Sequence, residues 1–260
     1  MTDAPLQFEG RRQQAAAESS GTALSLAPSS GLLRVGSWNV SRWCLSRLEV
    51  VCDSIAVDLL AVQETHLASV DLERAQTAAR RSGLCLHHGR PVPTRPGSLH
   101  GKSCGVSFLA KAGMAVMPKL PQGAGWRRLH ALCRLYAVRL APRQGLPLGM
   151  LFFSLYAPMQ GHGQELLRSQ FADALMEVVH ALDMQVPTLL MGDFNGVLCP
   201  GRDCNGESSH RRHVCPILAS LLGPGAPWVD VQAVLDPDPS WTFRNLDNKG
   251  KLPPSRSGVG

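Results

Sequence analysis

Four apolar runs in this chain each stop at a polar residue. "LLRVGSWNV" carries Asn39 near its end, "DLLAVQE" stops at Glu64, "MLFFSLYAP" reaches Tyr156, and "PTLLMGDFNGVL" delivers Asp193 and Asn195. Short apolar runs of this kind suit buried strands, and segments with helical periodicity separate them. Strand–helix–strand alternation predicts an α/β fold. Sheets of that class build their sites from polar side chains just past the ends of strands. The pattern therefore limits both the architecture and the place where chemistry can sit.

The remaining elements follow the same logic. Leu32 to Val40 reads as the first strand, and Leu48, Val51, Cys52 and Ile55 share one face of a helix before "DLLAVQE". A helix through "VDLERAQTAARRSG" closes at Gly83. Val106 to Ala110 is a strand after a Gly-rich approach, and "LCRLYAVRLAPRQGLPLGMLFFSLYAP" gives two strands around a Gly/Pro turn, the second ending at Tyr156. The clearest helix runs from Gln164 to Leu182, where Leu167, Phe171, Ala174, Leu175, Val178 and Leu182 recur at helical spacing. Thr188 to Gly192 forms the next strand, "PILASLLG" a short helix and "WVDVQAVL" a last strand. Residues 1–30, rich in Ala, Ser, Gln and Gly, read as a disordered leader, with one domain over 31–260.

Composition narrows the function classes. At 260 residues and 44% hydrophobic, the chain can bury a sizeable core. Lys and Arg number 26 against 20 Asp and Glu, a net charge of +6, and Arg outnumbers Lys. Arginine forks suit phosphate, so weak attraction to nucleic acid or another anionic partner is expected, although a mild charge also serves solubility. No apolar stretch approaches the length of a membrane span, and "MTDAPLQFEGRRQQ" has no signal-peptide core. The eight cysteines include no C-x-x-C pair, and several, such as Cys104 and Cys133, sit in apolar runs. Free thiols packed this way point to a reducing, intracellular compartment. No obligate protein partner is evident.

The chemistry lies in the strand ends. In extended chain, residues two apart point the same way, so Asp193 and Asn195 face one pocket while Phe194 enters the packing. Gly192 and Gly196 permit close approach and a sharp turn. Such a group suits phosphodiester hydrolysis. Glu64 is a hard oxygen ligand for Mg²⁺. Asp193 can take a proton from an attacking water. Asn195 can position that water or donate to a phosphoryl oxygen, and Tyr156 can donate to the same developing charge. Taken singly each has a plainer reading: Asn39 as a turn residue, Glu64 as a surface or capping residue, Tyr156 as a strand-end aromatic.

Other groups are weighed in the same way. Cys199, Cys204, His210, His213 and Cys215 are ligand types for zinc, but their spacing fits no zinc pattern and a polar loop is the plainer account. His66 either lines a groove or stabilises a loop. Arg127 and Arg128, beside Trp126, suit a DNA-facing surface or are only solvated. Trp241 and Phe243 either stack on a nucleotide or pack in the core.

Read in order, "WNV", "QETH", "GVSFLAK", "SLYAP" and "LLMGDFN" resemble the motif series of the endonuclease/exonuclease/phosphatase superfamily, most of all the apurinic-type endonuclease domains of non-LTR (LINE-like) retrotransposons. "GDFNGVLCPGRD" and "SWTFRN" are similar to further motifs of those domains, and the resemblance covers Leu32 to Arg256. It implies a DNase I-like four-layer α/β sandwich, two mixed sheets face to face with helices outside. It also implies a DNA-nicking phosphodiesterase using Mg²⁺, or Mn²⁺ in its place, acting in the nucleus. By the resemblance Asn39 and Glu64 take the metal side, Tyr156 the phosphate, and Asp193 and Asn195 the catalytic pair. The family's late "SR-x-D" and "SDH" motifs are not matched: Ser255 and Arg256 are present, Gly258 stands at the Asp position, and none of the nine histidines lies beyond His213. The resemblance thus predicts a C-terminally incomplete domain lacking its last strands, with impaired catalysis. Two alternatives stay open: a noncatalytic nucleic-acid-binding remnant, and a superfamily member acting on abasic DNA, RNA or phospholipid.

Overall fold

The computed structural model describes residues 24–26, 33–41, 43–46, 57–92, 104–143, 146–159, 163–196, 214–231 and 234. By internal contacts the chain divides into two units, Met1–Asn195 and Gly196–Gly260. In chain order the first unit contains β1 (Leu24–Leu26), β2 (Leu33–Asn39), β3 (Leu59–Gln63), α1 (Ser69–Arg81), β4 (Leu84–His88), β5 (Val106–Lys111) and β6 (Val116–Pro118). It continues with α2 (Gly123–Ala131), β7 (Leu135–Leu140), β8 (Met150–Tyr156), α3 (Glu165–His180) and β9 (Thr188–Asp193). The second unit contributes α4 (Pro216–Leu222), whose Ile217 and Leu221 are buried.

Two mixed sheets result, one ordered β1-β2-β3-β5-β4 and the other β6-β7-β8-β9. Each contains one parallel pair. β2 and β3 run parallel, with Asn39 opposite Gln63 as the last pair. β8 and β9 run parallel, with Tyr156 opposite Asp193 as the last pair. Parallel neighbours bring their C-terminal ends out side by side, whereas an antiparallel partner would bring back an N-terminus. Each sheet therefore offers two adjacent strand ends at one edge.

Strand alternation sorts the side chains into layers. Leu33, Val35, Leu59, Ala61, Phe152 and Met191 face a common core between the sheets. The intervening residues Leu60, Val62 and Leu109 pack on the other face against Ala75 and Ala79 of α1. On the second sheet, Trp126 of α2 meets Phe153 of β8 at a ring separation of 5.0 Å. α2 also presses on α3: a Cβ on Gly125 would lie 2.4 Å from the Ala174 carbonyl oxygen. The four-layer α/β sandwich expected from the motifs is thus present, helices outside and sheets within.

Several elements differ from the sequence reading. Leu24–Leu26, placed in the leader, pair antiparallel with β2. β4 and α2 were not anticipated. The described residues of "WVDVQAVL" do not form the expected strand: 228–230 are irregular and 231 and 234 are helical, while 232, 233 and 235 lie outside the described residues. Its alternating pattern is shared by short irregular segments. Of the helix expected around Leu48 to Ile55, positions 48–55 lie outside the described residues.

Candidate active site

The inner faces carry a polar layer before they reach the edge. Gln63 is 1% exposed, and its amide donates to Ser154 Oγ at 3.0 Å, linking the two sheets. Ser37 Oγ donates to Gln63 Oε1 at 3.3 Å. Ser154 Oγ in turn donates to the Val62 carbonyl at 3.4 Å. These three positions continue the series 33–35–37, 59–61–63 and 150–152–154 that lines the core.

One step further along the strands lies the predicted group. Asn39 Nδ2 donates to Asp193 Oδ2 at 2.8 Å, joining the end of β2 to the end of β9 across 154 residues of sequence. Asp193 Oδ1 accepts the Asn195 backbone N–H at 2.7 Å. Asn195 Nδ2 donates to the Ala157 carbonyl at 2.7 Å, and Ala157 N–H returns to the Asp193 carbonyl at 2.8 Å. The Tyr156 hydroxyl donates to Glu64 Oε1. Asn39, Glu64, Tyr156, Asp193 and Asn195 are therefore gathered into two linked clusters at the sandwich edge.

Local backbone explains how each side chain gets there. By strand parity Glu64 should follow Leu60 and Val62 to the α1 face. It adopts a left-handed conformation instead, with φ 55°, and meets Tyr156. Asn195 is also left-handed, with φ 46°. The expectation that Asp193 and Asn195 act as same-face residues of an extended chain is therefore corrected: β9 ends at Asp193, and a tight turn, closed on the Asp193 carboxylate, places Asn195. Gly192 makes the approach of β8 and β9 possible, with φ 148° and no room for a Cβ, which would lie 2.0 Å from the Leu155 carbonyl oxygen.

Sequence reasoning missed Arg134. Its Nη1 donates to the Tyr156 carbonyl at 3.2 Å, and its guanidinium lies 5.1 Å from the centre of the Tyr156 ring. Burial pulls the Arg134 pKa down, opposed mainly by the charges of Cys104 and Tyr156. The signal was the hairpin register. Leu135 pairs with Leu155, so the residue before β7 must fall beside Tyr156. Burial raises the Tyr156 phenol above its ordinary value, and the hydrogen bond to Glu64 raises it further, so the group is a proton donor at neutral pH.

The other candidates lie elsewhere. Arg127 and Arg128 are exposed on α2, in the helical layer outside the second sheet, while Trp126 between that helix and β8 is 3% exposed. His66 uses its backbone N–H on the Cys104 carbonyl at 3.2 Å. Trp241, Phe243, Cys199, Cys204, His210 and His213 lie outside the described residues, and Cys215 is buried.

Among the described residues, no group of three or more His, Cys, Asp or Glu could cage a metal ion. Mg²⁺ needs no cage, since it retains several waters and binds through one or two carboxylates. Glu64 fits that demand: one carboxylate oxygen accepts Tyr156, and a carboxylate has further lone pairs. Among the described residues, no helix is long and apolar enough to cross a membrane.

Comparison with known proteins bears on the fold. An AP endonuclease from Archaeoglobus fulgidus superposes with a TM-score of 0.51 at 16% identity, covering 66% of this chain and 61% of its own. The APE2 catalytic domain of Xenopus laevis gives 0.47 at 17% identity, covering 67% and 62%. The endonuclease domain of TRAS1, a telomere-specific non-LTR retrotransposon, gives 0.48 at 11% identity, covering 73% and 72%. The chain thus spans about three fifths of the length of the first two structures. No curated protein matches the sequence. The model of the Endonuclease/Exonuclease/phosphatase family matches residues 36–253, and enzymes of that family generally use divalent metal ions. A match of that extent, on a sandwich whose parallel strand ends carry Asn39, Glu64, Tyr156 and Asp193, places the chain in the endonuclease/exonuclease/phosphatase family.

Proposed function

We propose that this chain is a metal-dependent phosphodiester hydrolase that nicks DNA, of the kind found in non-LTR retrotransposons. The observation that carries the reading is the pair of clusters at the strand ends, Asn39–Asp193–Asn195 and Tyr156–Glu64, which supply a fixed base and a protonated donor at one edge. Asp193 has each oxygen held by one donor, which orients the carboxylate and leaves lone pairs for a water. Asp193 takes the proton of the attacking water. Asn195 uses one of its two side-chain N–H groups on Ala157, which leaves the second for a water or a phosphoryl oxygen. The Tyr156 hydroxyl has a single proton, directed here at Glu64. To donate to a phosphoryl oxygen it must turn from that carboxylate. A divalent metal held by Glu64, with Asn39 on the same side, would supply charge neutralisation for the phosphoryl group. Mg²⁺ suits this oxygen donor set, and Mn²⁺ is the alternative.

DNA as substrate is supported by the motif series and by the net charge of +6. Such a role places the protein in the nucleus. The test is conversion of supercoiled plasmid to the nicked form with Mg²⁺, with and without EDTA. Nicking that EDTA abolishes is expected. Salt-sensitive DNA binding with no nicking under either Mg²⁺ or Mn²⁺ would overturn the enzymatic reading in favour of a binding remnant. Hydrolysis of RNA or phospholipid without DNA nicking would replace the substrate.

A further inference from the structure

Beyond Tyr156 and Asp193, β8 and β9 have no more sheet to hold them together, yet the residues proposed to act lie just past that point. Three connections extend the coupling. Two are local: the Ala157 N–H to the Asp193 carbonyl at 2.8 Å, and the Asn195 side chain to the Ala157 carbonyl at 2.7 Å. The third comes from outside the sheet. Arg168 of α3 donates Nη1 to the Pro158 carbonyl and Nη2 to the Phe194 carbonyl, the latter at 3.3 Å. One guanidinium thus grips the chain two residues past Tyr156 and the peptide that joins Phe194 to Asn195.

We propose that Arg168 is a positioning residue that holds the Asp193–Phe194–Asn195 turn against the end of β8. Several features favour the assignment. The two acceptors belong to the segments that leave the two strands supplying Tyr156 and Asp193, so a shift of the guanidinium moves both. The Arg168 fork is planar and presents two N–H groups at fixed spacing, which an ammonium cannot do. The helix that carries it is anchored by Phe171, Ala174, Leu175, Val178 and Val179, all buried. Arg168 also stands in the first turn of α3, where the helix dipole disfavours a cation, so its placement is not explained by helix stability. The left-handed Asn195, φ 46°, lies in the turn whose Phe194 carbonyl Arg168 holds. Arg168 acts through the carbonyls of Pro158 and Phe194.

The proposal rests on the hydrolase reading for its kinetic consequence, but not for its structural one. The test uses the full chain, with Arg168→Ala and Arg168→Lys, and reads two quantities. Amide hydrogen exchange at Asn195, whose N–H is held by Asp193 Oδ1, is expected to accelerate roughly tenfold or more in Arg168→Ala, with the β7 amides of Leu135–Leu140 unchanged. In plasmid nicking, kcat is expected to fall roughly tenfold or more with KM little altered, because the turn is misplaced rather than the substrate lost. Millimolar methylguanidinium should restore part of the rate, and Arg168→Lys should lie between the two forms. Unchanged exchange at Asn195, or equal acceleration across β7, overturns the proposal whether or not the chain cleaves DNA. Wild-type behaviour of Arg168→Lys in both readouts overturns the argument from the fork. Absence of nicking by the wild-type chain counts against the hydrolase reading alone, and exchange then decides the role of Arg168.

Discussion

Two polar groups lie one step apart on the same strands and have opposite characters. Ser37, Gln63 and Ser154 hydrogen-bond to one another and to the Val62 carbonyl inside the sandwich, where Gln63 and Ser154 are 1% and 0% exposed. Asn39, Glu64 and Asp193 stand half-buried at the edge with the buried Tyr156 beside them, still bonded in pairs but with acceptor sites to spare. The inner group is closed, and its work is to join the two sheets. The outer group is open, and the Tyr156 proton has to change partners before it can serve a substrate. Saturated polar groups in a low-dielectric interior specify structure, whereas incompletely saturated ones at an edge are available for chemistry.

Substitutions should separate the two layers. The largest effect belongs to the open one. Asp193→Ala is expected to lower nicking roughly a thousandfold, the scale of a lost general base, while the far-ultraviolet circular dichroism stays as in the parent. Retained turnover would remove Asp193 from the mechanism and with it the distinction between the layers. Next in size is a crossed pair. Tyr156→Phe should cost roughly a hundredfold in kcat and little in melting temperature. Gln63→Leu should do the reverse, losing about 1–3 kcal/mol of stability through the polar partners it leaves behind, with kcat in the stable fraction nearly unchanged. If Gln63→Leu impaired kcat as strongly as Tyr156→Phe, the layers would be one functional unit.

The smallest effect is optical. The chain has two tyrosines, Tyr136 and Tyr156, both buried between the sheets and only Tyr156 bonded to Glu64, so alkaline phenolate absorbance reports on these alone. Burial pushes Tyr136 up to about 12, and Tyr156 is raised by burial and by Glu64. Both phenols ionise at higher pH folded than unfolded. The stability they contribute is therefore complete below the unfolded value of about 10 and is lost as pH rises through the folded values. Glu64→Gln should move the Tyr156 titration downward and leave that of Tyr136 in place. A shift of both, or of neither, would mean that Glu64 does not govern the edge tyrosine.

How much of this the sequence showed depends on the interaction involved. Asn39, Tyr156 and Asp193 were legible because each ends an apolar run, and strand ends in a parallel pair come out together. Glu64 was legible as a strand-end residue, but not its left-handed turn toward Tyr156, since strand alternation alone sends it to the opposite face. Asn195 was found for the wrong geometric reason, because no residue pattern marks where an extended chain becomes a turn. Arg134 was missed because its place beside Tyr156 follows only from the hairpin register, and Arg168 because the Pro158 and Phe194 carbonyls it holds have no signature in sequence. α2 was hidden by Gly123 and Gly125, poor helix formers; Gly125 is needed for the close contact with Ala174 of α3.

Gly192 has a consequence for inheritance as well as for packing. Every amino acid other than glycine carries a Cβ, so every missense change at that codon drives an atom to within 2.0 Å of the Leu155 carbonyl oxygen, one residue before Asp193. The cost falls on the spacing of the strands that hold Tyr156 and Asp193, and no single-residue change there is mild. Position 192 is thus a sensitive marker of whether the gene still depends on this site. A lineage that needs the site keeps glycine, and one that has ceased to need it is free to lose that glycine among its first substitutions.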